Sequence, residues 1–179
     1  MSLHRPSAWR SALPRLPESA PYFPWLRDRG SLTARIQARG RFSLRLLRQG
    51  LARPTPDEAA LLGIAPGALA WTREVALVLD GVPVVYAHTV LARQPRGPLV
   101  RWLGRIGGRS LGSLLFAHPG FARGEMRARR LDVRHPLFPR AAAALGGAPR
   151  SLWARRSLFG FRTQAVLVTE VFSPALRGL

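Results

Sequence analysis

The chain of 179 residues contains no cysteine, no lysine and no asparagine. Without cysteine there is no disulfide, no thiolate metal ligand and no cysteine nucleophile. The four histidines, His4, His88, His118 and His135, are far apart and lack the short spacing typical of metal ligands. No apolar run approaches the roughly 20 residues that cross a bilayer. We therefore expect no metal site and no membrane span, and a cysteine-free chain suits a reducing cytoplasm.

Arginine carries all of the positive charge of this chain. There are 28 basic and 9 acidic residues, which gives a formal net charge of +19. Such a charge attracts anions and first suggests nucleic acid. However, abundant Ala, Gly, Pro and Arg without Lys or Asn is typical of GC-rich coding sequence. No recognisable nucleic-acid-binding module accompanies the charge, so we expect no specific nucleic-acid partner. A binder driven by charge alone stays an alternative, and it predicts steeply salt-dependent binding.

The length of the chain fits one domain. Residues 1–24 hold five prolines and are rich in arginine, which predicts a flexible basic arm before a single domain over residues 25–179. No internal repeat is found. Beyond the arm, antiparallel strands and short helices alternate irregularly, and this order predicts an α+β fold.

Local signals place the elements. Thr55 and Glu58 form a capping box, and Gly63 ends the helix that follows. Asp80-Gly81 between two apolar runs predicts a β-hairpin over residues 70–79 and 82–91. Helices are predicted over residues 25–39, 98–106, 110–117 and 135–145, and further strands over 42–46, 124–133, 151–160 and 163–172.

Two charges stand on strand faces that otherwise look like core. Side chains alternate along a strand. Arg73 is the only charge on one face of residues 71–79, and Glu170 is the only charge on one face of residues 164–172. An unpaired buried charge is costly, so Arg73 needs an anion. Either Glu170 supplies it directly as an ion pair, or a small organic anion binds between the two residues.

The hairpin register predicts a neighbour for Arg73. If Asp80-Gly81 forms a two-residue turn, Leu79 lies opposite Val82 and Arg73 lies opposite His88. His88 would then share the face of Arg73, unless the register slips by one residue. It is either a ligand contact or a core histidine with satisfied partners.

Six segments, in order and with matching spacing over roughly residues 25–174, resemble the chorismate pyruvate-lyases of ubiquinone biosynthesis. They are Ser31-Leu32-Thr33 with Arg35, Trp71-Thr72-Arg73-Glu74, Asp80-Gly81 with Ala87-His88-Thr89-Val90, Leu111-Gly112 with Leu115-Phe116, Trp153 with Arg155-Arg156-Ser157, and Leu167 with Thr169-Glu170, Phe172 and Pro174.

The resemblance implies a single antiparallel sheet with flanking helices and helical flaps over a buried ligand site. It implies a carbon-oxygen lyase that removes pyruvate from chorismate and leaves 4-hydroxybenzoate, without a metal or organic cofactor. The chain is then expected to be a monomer with chorismate and 4-hydroxybenzoate as its small-molecule partners.

The resemblance also implies roles for individual residues. Arg73 binds the ring carboxylate and Glu170 contacts the ring hydroxyl, so these two are the expected catalytic residues. Leu111 contributes backbone contacts, and Leu32 lines the pocket where the family often has Met. His88 stands where the family often has Arg, and it is a further candidate for substrate binding.

A second class of function shares this fold. Effector-binding domains of some bacterial transcription regulators bind small ligands without catalysis, and fold alone does not separate the two classes. Such regulators carry a helix-turn-helix domain. The 40 residues before the first strand hold too many prolines to supply one.

Overall fold

The computed structural model describes residues 8–13, 16–93, 99, 102, 104–147 and 149–179. Within these residues, six strands form one antiparallel sheet in the order β1-β2-β3-β6-β5-β4. The strands are β1 Phe42–Ala52, β2 Ala70–Leu79, β3 Val82–Ala92, β4 Ala122–Leu131, β5 Leu152–Phe161 and β6 Gln164–Phe172. The predicted α+β class with a single antiparallel sheet is confirmed.

Five short α-helices and two 3-10 helices flank the sheet in the described part of the chain. The α-helices are α1 Phe23–Leu26, α2 Leu32–Gln37, α3 Pro56–Leu62, α4 Leu111–Ala117 and α5 Phe138–Leu145, and the 3-10 helices are Ala20–Tyr22 and Pro174–Gly178. None of the helices described is both long enough and apolar enough to span a membrane.

The helix predicted over residues 25–39 is two helices. Ser31 begins the second one, because its hydroxyl accepts a hydrogen bond from the Ala34 N–H at 3.3 Å. The capping box of α3 forms as predicted, with the Thr55 N–H donating to Glu58 Oε2 at 2.8 Å. Of the helix predicted over residues 98–106, residues 98, 100, 101 and 103 lie outside the described residues, whereas Leu99, Trp102 and Gly104 have helical backbone.

The Asp80-Gly81 hairpin forms, but its register slips. Both turn residues have positive φ (50° and 83°), as a type I′ turn requires, and Leu79 pairs with Val82 as predicted. A bulge then inserts one residue into β3 after Pro83, which has no N–H for the ladder. His88 therefore pairs with Glu74, and the predicted pairing with Arg73 is wrong.

The sheet has two covered faces. Face A carries the side chains of Trp71, Arg73 and Val75, and α1, α2 and α4 pack on it. Face B carries Glu74 and His88, and α3 and α5 pack there. Cross-strand partners share a face. Arg73, Glu74 and His88 therefore lie between the sheet and helices rather than in water.

The N-terminal segment belongs to the fold where it is described. Trp9 Nε1 donates to Asp57 Oδ2 at 2.8 Å, and Arg10 forms a β-bridge with Ala128. The Glu18 carbonyl accepts a hydrogen bond from Trp153 Nε1 at 3.2 Å. Trp9, Arg10 and Glu18 therefore contact the folded domain, and the division into an arm over residues 1–24 and a domain over residues 25–179 stays a prediction.

Candidate functional site

Arg73 is a buried cation on face A, with a relative exposure of 2%. Its Nη1 donates to Gln49 Oε1 at 2.6 Å. Its Nη2 donates to the backbone carbonyls of Gly107 at 2.7 Å and Arg109 at 3.2 Å. These acceptors are all neutral, and no described carboxylate lies within salt-bridge distance of the guanidinium. Burial lowers the pKa of Arg73.

A bulge in β1 brings Gln49 to the guanidinium. The pairing of β1 with β2 shifts by one residue between Leu46 and Arg48, so that Gln49 lies opposite Arg73. Without the extra residue, the amide would point to face B. The carbonyls of Gly107 and Arg109 come from the segment just before α4, so Arg73 also ties that segment to the sheet.

Glu170 is paired with Arg155, not with Arg73. The two residues lie opposite each other on β6 and β5, and Arg155 Nε donates to Glu170 Oε2 at 2.5 Å. The Arg155 Nη1 also donates to the carbonyls of Trp25 at 2.7 Å and Asp28 at 2.6 Å. The direct pair of Arg73 with Glu170, one of the two sequence interpretations, is therefore excluded.

Arg73 and Glu170 nonetheless share one surface. Arg73 pairs with Thr89, which pairs with Val168, two residues before Glu170 on the same side of β6. Strands β2 and β6 are two strand spacings apart, which is roughly 10 Å. The cation and the acid therefore lie on one face without touching, at a distance that one small ring could bridge.

The surface beside Glu170 forms a narrow crevice under α4. Gly112 and Leu115 of the helix face Ser157, Phe159, Val168 and Glu170 of the sheet, and Arg123 also lines the crevice. The lining is mostly apolar with a few polar groups, as in small-ligand sites, but its volume of about 10 Å³ holds no more than one water. A ring could enter only if α4 moved away from the sheet.

Leu32 and Leu111 lie on the covering elements as predicted. Leu32, at the start of α2, packs in one cluster with Val75, and Leu111, at the start of α4, packs in another with Trp71 and Val168. The two elements are joined, because the hydroxyls of Thr33 and Ser110 are 2.6 Å apart. The structure thus brings Leu32, Leu111, Arg73 and Glu170 to face A.

His88 lies on the opposite face and does not belong to this surface. Its Nε2 is 3.4 Å from Glu58 Oε1, and its Nδ1 is 3.3 Å from Glu74 Oε1. Glu74 also pairs with Arg140 Nη1 at 2.5 Å. Burial lowers the pKa of His88, but the two carboxylates outweigh it and the pKa is raised. These contacts agree with the core-histidine interpretation, and the ligand contact of His88 stays a prediction.

Two arginines of the site were missed by sequence reasoning. Arg155 was named only as part of a motif, and Arg123 was not singled out. A two-residue turn at Arg162-Thr163, like the one at Asp80-Gly81, places Arg155 opposite Glu170 by counting alone. Arg123 carries no such signal, because the pairing of β4 with β5 shifts between Arg123 and Met126.

The described residues define an α+β domain with one antiparallel sheet and a buried cation on one face. Solved structures with this fold include the effector domain of PhnF from Mycobacterium smegmatis, at 20% identity and a TM-score of 0.54 over 82% of this chain and 90% of that chain. The C-terminal domain of the histidine utilization repressor from Pseudomonas syringae is 10% identical, with a TM-score of 0.55 over 75% of this chain and 93% of that chain. At these identities the likeness shows the fold alone.

Sequence comparison identifies the family. The family model described as chorismate lyase matches residues 9–176. A probable chorismate pyruvate-lyase of Dechloromonas aromatica is 55% identical over 85% of this chain and 86% of its own length. A probable chorismate pyruvate-lyase of Aromatoleum aromaticum is 50% identical over 94% of this chain and 92% of its own length. The chain belongs to the chorismate lyase family, which confirms the resemblance and the expected class of enzyme, a lyase acting on chorismate.

Proposed function

We propose that the protein removes pyruvate from chorismate and releases 4-hydroxybenzoate, as a step of ubiquinone biosynthesis. One observation carries this proposal beyond family membership. Arg73 is a fully buried guanidinium held only by neutral acceptors among the described residues, on the face that Glu170 shares. A buried cation without a counter-ion favours an anionic ligand, and chorismate supplies a carboxylate.

Arg73 binds the ring carboxylate in this proposal. A guanidinium suits this role because it carries five N–H donors, of which Gln49, Gly107 and Arg109 take three and two remain for a carboxylate. The carbonyls of Gly107 and Arg109 and the Gln49 amide hold the fork in place before the ligand arrives. A preorganised donor of this kind loses little conformational freedom on binding.

Glu170 contacts the ring hydroxyl. Arg155 engages Oε2 of the carboxylate, and Glu170 lines the crevice under α4. The other oxygen can accept the hydrogen bond of the ligand hydroxyl. The same carboxylate is placed to help move the proton of the neighbouring ring carbon.

The reaction is an elimination that makes the ring aromatic. A proton leaves the ring carbon that carries the hydroxyl, and the ether C–O bond on the adjacent carbon breaks. Enolpyruvate departs, takes up a proton and becomes pyruvate. Because aromatisation drives the reaction, the main task of the protein is to hold the reactive conformer. Arg73 and Glu170, fixed at opposite ends of the ring, provide that constraint.

The test is to mix the purified protein with chorismate and to quantify pyruvate and 4-hydroxybenzoate together. Equal amounts of the two, formed in proportion to enzyme concentration, are expected. Products that form no faster than in buffer would remove the proposal. Tight 4-hydroxybenzoate binding without turnover would instead indicate a sensor, the role of effector domains with this fold. The monomeric state and the cytoplasmic location stay predictions.

A further inference from the structure

Arg123 on β4 lines the same crevice as Glu170. It pairs with Phe159 of β5, so its side chain belongs to face A. Its Nε donates to the Ser157 hydroxyl at 3.0 Å, and its Nη1 donates to the Arg29 carbonyl at 2.9 Å. The guanidinium thus reaches inward from β4 over β5, toward Glu170.

The surroundings of Arg123 favour an anion. The residue is half-buried, and burial lowers its pKa. The nearby positive charge of Arg155 lowers the pKa further, while Glu170 opposes this effect. Arg29 adds positive charge and Asp28 adds negative charge nearby. The three guanidiniums of Arg29, Arg123 and Arg155 outnumber the two carboxylates, which leaves a local excess of positive charge. A second carboxylate in the crevice would be stabilised by that excess.

The substrate of the proposed function supplies a second carboxylate. Chorismate carries one on its ring and another on the enolpyruvyl group, which is attached to the ring carbon next to the hydroxyl. Glu170, the hydroxyl contact, lies on β6, between the strand of Arg73 and that of Arg123. The guanidinium of Arg123 lies over β5, three strand spacings or roughly 14 Å from β2. Two guanidinium–carboxylate contacts within that length leave room for one six-membered ring.

We propose that Arg123 binds the carboxylate of the enolpyruvyl group and stays in contact with it while the ether C–O bond breaks. This inference rests on the proposed function, because it takes chorismate as the ligand. In this proposal the two arginines bind carboxylates that end in different products. Arg73 binds the carboxylate that remains in 4-hydroxybenzoate, whereas Arg123 binds the carboxylate that leaves with pyruvate.

The experiment compares Arg123→Gln, Arg123→Lys and wild type in two measurements, kcat/KM for chorismate and Kd for 4-hydroxybenzoate. Loss of one charged contact is expected to lower kcat/KM of Arg123→Gln about 10- to 100-fold. Arg123→Lys, which keeps the charge without the fork, is expected to lie between Arg123→Gln and wild type. The Kd for 4-hydroxybenzoate is expected to stay within about twofold of wild type, since the product lacks the second carboxylate. Arg127→Gln, an exposed change on the same strand, is the matched control.

Three outcomes overturn the inference. The first is an unchanged kcat/KM in Arg123→Gln. The second is a parallel loss of chorismate turnover and 4-hydroxybenzoate affinity, which indicates that Arg123 only supports the structure. If Arg123→Gln does not fold, Arg123→Lys decides alone, and equal losses in both measurements overturn the inference. The third is absence of chorismate turnover in the wild type, which would remove the proposed function as well. This outcome is distinguishable from the other two because it is measured before any variant is made.

Discussion

Arg155 and Glu170 face each other across β5 and β6, with Nε of the guanidinium 2.5 Å from Oε2 of the carboxylate. The arginine side chain is 1% exposed and the glutamate side chain 16%. Because Arg155 also donates to the carbonyls of Trp25 and Asp28, the same guanidinium orients Glu170 and holds the connection between α1 and α2. The acid of the site and part of its covering segment therefore depend on one residue.

We expect Arg155→Met to lower the free energy of unfolding by about 3 kcal/mol, because it leaves a largely buried carboxylate without its partner. Glu170→Gln keeps an oxygen acceptor for Arg155 and is expected to cost less. The double variant should be more stable than the sum of the two single changes predicts. Urea unfolding of the four proteins measures this coupling. Strictly additive effects would show that the pair contributes nothing of its own.

Arg73→Met separates binding from stability. We expect kcat/KM for chorismate to fall about 100-fold or more, because the proposed role gives Arg73 two charged hydrogen bonds to the ring carboxylate. The free energy of unfolding should change by less than about 2 kcal/mol, since the lost hydrogen bonds are offset by removal of a buried charge without an anionic partner. Activity assays and urea unfolding test both parts. Arg48→Met, an exposed change on neighbouring β1, is the control, and equal activity of the two variants would contradict the role of Arg73.

Thr33→Val tests the link between α2 and the segment before α4. The hydroxyls of Thr33 and Ser110 are 2.6 Å apart, and loss of one neutral hydrogen bond costs about 1 kcal/mol. Under the proposed function, we expect 4-hydroxybenzoate to dissociate roughly fivefold faster if its release requires the two elements to separate. Stopped-flow displacement measures the rate. Thr163→Val, in the exposed turn between β5 and β6, should leave it unchanged.

His88 makes stability depend on pH. Its pKa is raised above the ordinary value of 6.5 in the folded protein, because the opposing carboxylates of Glu58 and Glu74 outweigh burial. The folded state binds this proton more tightly than the unfolded state. The contribution is therefore fully present below the ordinary value and is lost as the pH rises through the folded pKa.

The measurement compares urea unfolding of wild type and His88→Gln between about pH 5.5 and pH 9. The stability advantage of wild type should be greatest at the acidic end and should shrink toward the alkaline end. The control is His118→Gln, which changes an exposed histidine. An advantage of wild type that is constant with pH would show that folding does not raise the pKa of His88.

Much of the fold follows from local chemistry. The capping box at Thr55, the stop at Gly63 and the Asp80-Gly81 turn each satisfy or constrain backbone groups within a few residues, so their structures were predictable. The alternation of apolar and polar residues predicted the strands. Arg73 and Glu170 were identified because each is the only charge on an apolar strand face. The predicted hairpin register was wrong beyond Pro83, because a bulge in β3 depends on how this strand pairs with its neighbours on both sides.

The sequence by itself determined the elements, the α+β class, the family and the two charges that needed partners. Only the tertiary structure decided who those partners are. In the folded protein Glu170 pairs with Arg155, and Arg73 donates only to neutral acceptors among the described residues. His88 lies on face B, and Arg123 lines the crevice beside Glu170. The physical reason is that side-chain direction alternates along a strand, so a one-residue bulge reverses every face beyond it. Such shifts arise from contacts between distant strands, which no local pattern encodes.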